Sequence, residues 1–404
     1  MQSSSQNTLK ISEGMLIGML VAVNFTHIMD FVIMAPLSPF FKRAMSISTE
    51  QFGYLVSIYT FSAAVGAVFA FFNIDKYDRR TAMLLLYSGF IVANLLCALA
   101  PHYKFFMMAR MFAGLFGGVL NVLIMTIIGD TIPIERRGKA TGMVMSAFAG
   151  ASVIGIPSGL ILAGMFDYHA PFWLLFILST LVGIVLYLKF PKLKTHLEST
   201  KVKASPLEII TEFIQNKNVR NALLFIFLLM VGGFSVVPFI SDYLVFNVGL
   251  NEDELKYVYL VGGVSTIISS ILVGRLTDKL GKVKTFIVAA LFSIGPLIFV
   301  TVLPPMQLMY VLMFNVLFFM TFGARFVPAM TLMTTCVVAH RRGNFLSVSS
   351  AVQSMGSGVA VLIASSIIGN SADGSMLNFG WVGMVATIAT LLSIVFSLRI
   401  KEIS

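Results

Sequence analysis

Residues 170–190 read APFWLLFILSTLVGIVLYLKF, twenty-one residues with a single charge at Lys189. At 1.5 Å per residue a helix of that length is about 30 Å long, the thickness of a bilayer's hydrocarbon core. The rest of the chain repeats the pattern. Apolar runs of this kind predict helices over 14–40, 50–73, 81–100, 105–129, 138–165 and 170–190, and again over 220–247, 255–276, 284–303, 306–335, 343–369 and 376–398. The 404 residues are 57% hydrophobic and 11% charged, with a mean hydropathy of +0.91. A soluble chain carries roughly 25% charged residues, so there is too little charge here to coat a water-facing surface. The short alternating segments of an outer-membrane barrel are absent. The first run is too long for a signal-peptide core and has no small-residue cleavage site after it, so it is expected to stay in the mature protein.

Orientation follows from the basic residues. With twelve spans both termini share one side, and 22 Lys and Arg fall there, from Lys10 to Lys401. The other side holds four: Lys42, Arg43, Lys104 and Lys256. Arg110 and Arg325 lie inside spans, which accounts for all 28. The asymmetry predicts a bacterial inner-membrane protein with both termini in the cytoplasm. The net charge of +10 is then a topology signal rather than a nucleic-acid footprint, because the basic residues are scattered over short loops. Cys97 and Cys336 fall in different spans and are expected to be free and buried.

The chain divides into residues 1–190, a polar linker at 191–219 and residues 220–404. The linker's stretch from Pro206 to Gln215 has an amphipathic pattern, although a solvated connector is the simpler expectation. Signals recur across it at a nearly constant offset. Asp75 with Arg79 and Arg80 follows the second run, and Asp278 with Lys282 and Lys284 follows the eighth, 203 residues later. Arg136-Arg137-Gly138 opens the fifth run and Arg341-Arg342-Gly343 the eleventh, 205 residues later. Two matches at nearly the same offset indicate an internal duplication. The predicted fold is an all-α polytopic membrane protein, twelve transmembrane helices in two pseudo-symmetric six-helix bundles, an architecture used by transporters with a site near the midplane.

Several motifs make this more specific. Gly274-Arg275-Leu276-Thr277-Asp278-Lys279-Leu280-Gly281-Lys282 resembles the signature loop of the major facilitator superfamily between spans 8 and 9. The first-half copy, Phe71 to Arg80, has Phe71 and Asp78 in place of glycines but keeps Asp75, Arg79 and Arg80. Asp130-Thr-Ile-Pro133 with Arg137-Gly138-Lys139-Ala140 resembles the family's loop between spans 4 and 5, and Arg110 with Gly114 its span-4 pattern. Gly150, Gly155, Pro157 and Gly159 resemble the span-5 motif of its exporters, in a spelling common in the arabinose-efflux or drug:proton antiporter branch. The resemblance covers nearly the whole chain and implies the major facilitator fold.

Each motif has a physical reading of its own. Glycines in the loop permit a tight turn. Asp278 suits a helix N-terminus, and the neighbouring basic residues, with Arg342, can pair with acids of the other half as a cytoplasmic gate. Asp278, in the complete copy, is expected to matter more than Asp75. Gly155-x-x-x-Gly159 offers a groove for a second helix, expected to be span 8 with Gly262-Gly263, and Pro157 permits a bend.

Ionisable groups inside spans are costly and are usually kept for a task. Asp30 in the first span and Arg110 in the fourth fall at similar depth and are expected to pair. His27 precedes Asp30 by one turn on the same face, and Asn24 continues that face. Asp242 in the seventh span is a further proton-coupling candidate, or else a helix-end residue facing water. Arg325, its offset partner Asn121, and Gln353 are expected in the substrate cavity, with Arg325 suited to an anionic or hydroxyl-bearing compound.

The reading that results is proton-driven efflux of a small organic compound, drug-like or sugar-like, by a monomer whose partners are substrate, protons and lipid. Uptake on the same fold is the alternative. An enzyme is disfavoured, since His27, His102, His169, His196 and His340 are far apart, and without a nucleotide-binding loop or a cofactor the energy comes from an ion gradient. The topology is directly testable. A reporter active only in the periplasm should work when fused after Leu250 or Leu303 and fail after Asp278 or Leu197; activity at Leu197 would overturn the twelve-span count.

Overall fold

A computed structural model describes residues 11–193, 206–338, 341–372 and 374–403. Lys10, His196, Leu197 and His340 lie outside them, as does the linker between 194 and 205. The described residues contain twelve helices long and apolar enough to cross a membrane. They run Glu13–Val32, Thr49–Lys76, Arg79–Ala98, Tyr103–Thr131, Glu135–Met165 and Ala170–Lys189, then Lys217–Val248, Glu252–Leu280, Lys282–Val300, Leu308–Thr335, Arg342–Ile367 and Phe379–Ser397, numbered here as spans 1 to 12. The face carrying the two ends of the chain is called the terminal face.

Both leading spans of the two halves break near the opposite face. The sequence predicts helix as far as residue 40, but span 1 stops at Val32 and a short helix, Ser38–Met45, follows a turn. Pro36 lies in that turn and cannot donate the N–H that would continue the helix. Span 7 is regular to Phe234, then passes through a tight turn at Val237–Phe239 around Pro238 and a short helix at Ile240–Tyr243, ending at Gly249 with φ +90°. The two prolines sit 202 residues apart, so the break itself is part of the repeat. It sets the residues after each break at the junction of the halves.

Span 5 holds a wide π-type turn at Ala151–Gly155, directly before Pro157. Such turns absorb an irregular backbone without ending the helix. The groove of this motif does not receive span 8, as the sequence suggested. A Cβ on Gly155 would come within 3.0 Å of Met29 and one on Gly159 within 2.3 Å of Ile33, so both glycines face span 1. Span 8 approaches another side of span 5, where Gly263 lies against the backbone and side chain of Ser152 and Val153. Gly262 instead faces Phe319. Sequence spacing identifies a groove, but the partner depends on which way the helix is rotated.

The closest backbone approach joins spans 2 and 4. A Cβ on Gly114 would lie 2.1 Å from the Tyr59 carbonyl, one on Gly118 2.1 Å from that of Ala63, and one on Gly66 2.3 Å from that of Leu115. Small residues at such crossings let backbones touch where lipid offers no hydrophobic driving force.

The buried apolar core is distributed unevenly. Toward the opposite face one cluster runs through both halves, including Phe41 and Phe52 with Phe239, Tyr243 and Leu255. Toward the terminal face each half has its own cluster, and the two halves touch through Ala351 and Phe71. The amphipathic stretch Pro206–Gln215 forms a helix rather than an extended connector. Its Ile209 and Phe213 are buried, Phe213 edge-on to Phe345 of span 11, and Glu212 pairs with Arg341 at 2.7 Å.

The crowding at Gly118 gives a stability prediction. Gly118→Ala forces a methyl against a carbonyl and should cost about 1–3 kcal/mol, in the range of overpacked cores. Gly142→Ala, with nothing within 4 Å, should be neutral. Thermal unfolding of the purified variants in detergent would show a lowered midpoint for the first alone.

Candidate functional site

Arg110 stands in the second turn of span 4 and Asp30 in the last turn of span 1. Nη1 of Arg110 donates to Oδ1 of Asp30 at 2.5 Å, and Nη2 lies 3.5 Å from the Asp30 carbonyl. Both side chains are fully buried. Gly114, one turn along from Arg110, lets span 2 come close enough to set the Tyr59 ring 4.3 Å from the guanidinium. The Tyr59 hydroxyl is 3.4 Å from Nδ1 of His27, and Gly117 leaves room for that imidazole. Thus Asp30, Arg110, Tyr59 and His27 converge. Oδ2 of Asp30 and Nε of Arg110 have no hydrogen-bond partner among the described residues. The Tyr59 hydroxyl also lies close enough to Asp30 to interact with it, and a buried pair of this kind depends on such polar neighbours. Asn24 has a different use from the one expected. It is buried and its Nδ2 donates to the Val144 carbonyl at 2.9 Å, tying span 1 to span 5.

Asp242 is not a helix-end residue facing water. It is fully buried and pairs with Lys42 at 2.8 Å. Lys42 also donates to Oγ1 of Thr49 at 2.6 Å, and Thr49 in turn donates to Oδ1 of Asn370 at 2.6 Å. Beside them Arg43 pairs with Glu252 at 3.0 Å. Each of these two ion pairs joins one half of the chain to the other, at the face opposite the termini. In the sequence Lys42 and Arg43 stand out as half of the four basic residues on their side, shortly after the Pro36 break. That signal points to a task beyond orientation.

Near the middle, Nδ2 of Asn121 reaches Oγ of Ser350 across the halves at 3.4 Å. Gln353 donates to Ser349 on its own helix at 3.3 Å. Arg325 is fully buried in the second half, donating to Oγ1 of Thr390 and to the Gly232 carbonyl, each at 3.2 Å. Among the described residues no three His, Cys, Asp or Glu side chains gather as a metal ion would require. Cys97 and Cys336 are free and buried.

The sequence profile of the Major Facilitator Superfamily matches residues 20–361 and 222–402. The chain belongs to this superfamily. Its members are transporters rather than enzymes and need no cofactor. An uncharacterized MFS-type transporter of Bacillus subtilis, YceJ, is 27% identical over 83% of this chain and 84% of its own. A probable sugar efflux transporter of Helicobacter acinonychis is 22% identical over 66% of each chain. Multidrug resistance protein 2 of Bacillus subtilis is 21% identical over 82% of this chain and 83% of its own. Among solved structures, a D-xylose-proton symporter superposes with a TM-score of 0.76 at 15% identity, covering 96% of this chain and all of that one. The protein is thus a multi-pass membrane transporter of the major facilitator fold.

The superfamily loops at the terminal face are built differently in the two halves. In the degraded first copy Arg79 is buried and donates to Asp130 at 2.9 Å, Asp75 at 2.7 Å and the Ile74 carbonyl at 2.7 Å. Asp78, at a glycine position of the motif, accepts from the backbone N–H groups of Arg80 and Leu193 at 3.2 and 3.0 Å. Arg80 donates to the Tyr187 carbonyl and Arg137 to that of Ile132. In the complete second copy Gly281 has φ +88°, a turn closed to other residues, and Gly274 faces Val327 with room to spare. Lys282 pairs with Glu402. Asp278 is exposed, with no ion pair or hydrogen bond among the described residues, and Nε of the half-buried Arg342 is unpartnered. Among the described residues the ion pairs of Arg79, Lys282 and Arg341 lie within their own half or its linker rather than across the halves.

Removing Lys42 would leave Asp242 as a buried unpaired charge, a loss of about 3–5 kcal/mol for a pair of this kind. In Lys42→Ala the halves should separate at this face. Spin labels on Ala44 and Asp253, both exposed, should give one short distance in the parent and an added longer population in the variant; an unchanged distribution would refute it.

Proposed function

We propose that the protein is a proton-coupled exporter of a small organic compound, drug-like or sugar-like, in the bacterial inner membrane with both termini cytoplasmic. The observation that carries this reading is the buried Asp30–Arg110 pair at 2.5 Å, with one carboxylate oxygen unpartnered. A carboxyl group in that setting can exchange its proton when the pair loosens. The names borne by two relatives, a probable sugar efflux transporter and a multidrug resistance protein, support the export direction.

In this reading residues 1–190 and 220–404 rock against each other about the linker at 191–219. The Lys42–Asp242 and Arg43–Glu252 pairs close the periplasmic side while substrate enters from the cytoplasm, with Asp30 deprotonated and held by Arg110. The halves then part at the periplasmic face. A proton from that side neutralises Asp30, loosens Arg110 and favours substrate release; the return carries the proton inward. His27 and Tyr59 lie beside Asp30 as a polar route for that proton. Asp242 serves the gate, and its neutralisation would release Lys42 in the same step. Asp75, Arg79 and Asp130 hold the first-half loop, while Asp278 and Arg342, with Lys282 once it leaves Glu402, engage the other half when the cytoplasmic side closes. The wide turn before Pro157 and the glycines at 150, 155 and 159 give span 5 a place to flex against span 1.

Asp30→Asn keeps the volume and still accepts a hydrogen bond from Arg110, but it cannot titrate. In liposomes with an imposed pH gradient it should retain substrate binding and downhill exchange and lose gradient-driven accumulation. Full uphill transport by Asp30→Asn would move coupling to another group, Asp242 first. Accumulation that requires the opposite sense of gradient would replace export by uptake.

A further inference from the structure

Three arginines are buried to the last few per cent: Arg79, Arg110 and Arg325. Arg79 has two carboxylates and Arg110 has one. Arg325 has none among the described residues. Its partners are a threonine hydroxyl and a backbone carbonyl, with the Phe322 ring 4.9 Å from the guanidinium. Neutral dipoles and a ring face offset part of the desolvation of a guanidinium, but an opposite charge is what a low-dielectric site demands of it.

The internal repeat shows that Arg325 is not a relic of a second copy of the Asp30–Arg110 pair. The position 205 residues beyond Arg110 is Asn315, buried and donating to the Val311 carbonyl. Arg325 stands almost three turns further along span 10, where the first half has the neutral Leu120 and Asn121. Span 7 accommodates it with Gly233, on which a Cβ would lie 3.1 Å from Nη2 and 2.7 Å from Phe322. The next residue, Phe234, meets Phe31 of the first half at 5.6 Å between ring centres. The guanidinium thus lies against the same turn of span 7, at Gly232 and Gly233, whose next residue meets the other half. Its two hydrogen bonds use Nη1 and Nη2, and Nε–H has no partner among the described residues. The unused N–H groups form an edge of the kind that grips a carboxylate or phosphate with parallel bonds.

We propose that Arg325 anchors a negatively charged group of the transported compound, an organic oxyanion with an apolar or aromatic body that stacks against Phe322 and its neighbours. The substrate supplies the counter-charge that the fold withholds. This deepens the export reading and rests on it for the direction of travel, but binding itself needs no gradient.

The test uses the purified full-length protein at neutral pH with no gradient, so its outcome is separate from that of the coupling experiment. Thermal stability is measured against benzoate, phenyl phosphate, uncharged benzamide and glucose. Benzoate or phenyl phosphate should raise the midpoint in a saturable way while benzamide and glucose do not, and whichever anion acts identifies the carboxylate or the phosphate. In Arg325→Gln the apparent affinity for that anion should fall at least tenfold, and Arg325→Lys should recover part of it, because an ammonium keeps the charge but lacks the planar fork. Should Arg325→Gln fail to fold, Gly233→Ala, which crowds the guanidinium without removing it, should weaken the same anion. Equal shifts with benzamide, no shift with either anion, or an undiminished anion shift in Arg325→Gln would each overturn the assignment.

Discussion

A charge inside a bilayer has to be answered by another charge or by a task, since lipid supplies neither water nor a counter-ion. Arg110 is answered by Asp30 within one half. Lys42 and Asp242 answer each other across the two halves. Arg79 is answered by two carboxylates at the end of its own bundle. These pairs organise the molecule because they are few: moving either half relative to the other must break or keep each of them as a unit. The Lys42–Asp242 contact has to be surrendered if the halves are to part at its face, whereas Asp30–Arg110 moves with the first half and can be altered from within.

Backbone chemistry decides where such pairs are able to form. Pro36 and Pro238 each deny an N–H to the helix, so spans 1 and 7 break at equivalent depth and swing Lys42 and Asp242 together. Glycines work by the opposite route. Gly114 and Gly118 let span 2 lie on span 4, and this crossing places Tyr59 over Arg110. Gly155 and Gly159 let span 1 lie on span 5, next to the wide turn before Pro157. The face of span 1 that carries Asp30 is therefore fixed by residues that carry no chemistry of their own.

The uneven core adds a mechanical consequence. Near the Lys42–Asp242 pair the apolar residues of both halves form one cluster, while toward the terminal face each half keeps its own. The two halves are thus joined by hydrophobic contact and ion pairs at one face, while their apolar clusters stay largely separate toward the other. The superfamily loops at the terminal face fit this arrangement, since their ion pairs stay within a half.

What the sequence by itself determined was set by period, length and charge. Runs of some twenty apolar residues specify membrane helices, the scatter of Lys and Arg specifies which loops share a side, and offsets of 203 and 205 specify the duplication; all are local or statistical properties that survive without coordinates. The pairing of Asp30 with Arg110 was legible too, because depth in a span can be counted. Rotation about a helix axis cannot be counted in that way. Hence the partner of Gly155 and Gly159 was assigned to span 8 when it is span 1, Asn24 was placed in a cavity when it bonds to Val144, and Asp242 was left without Lys42. The isolation of Arg325 was likewise invisible, since the sequence contains enough carboxylates to serve it. Only the tertiary structure, by fixing the rotation and tilt of every helix at once, decided which of them come within reach of which charge.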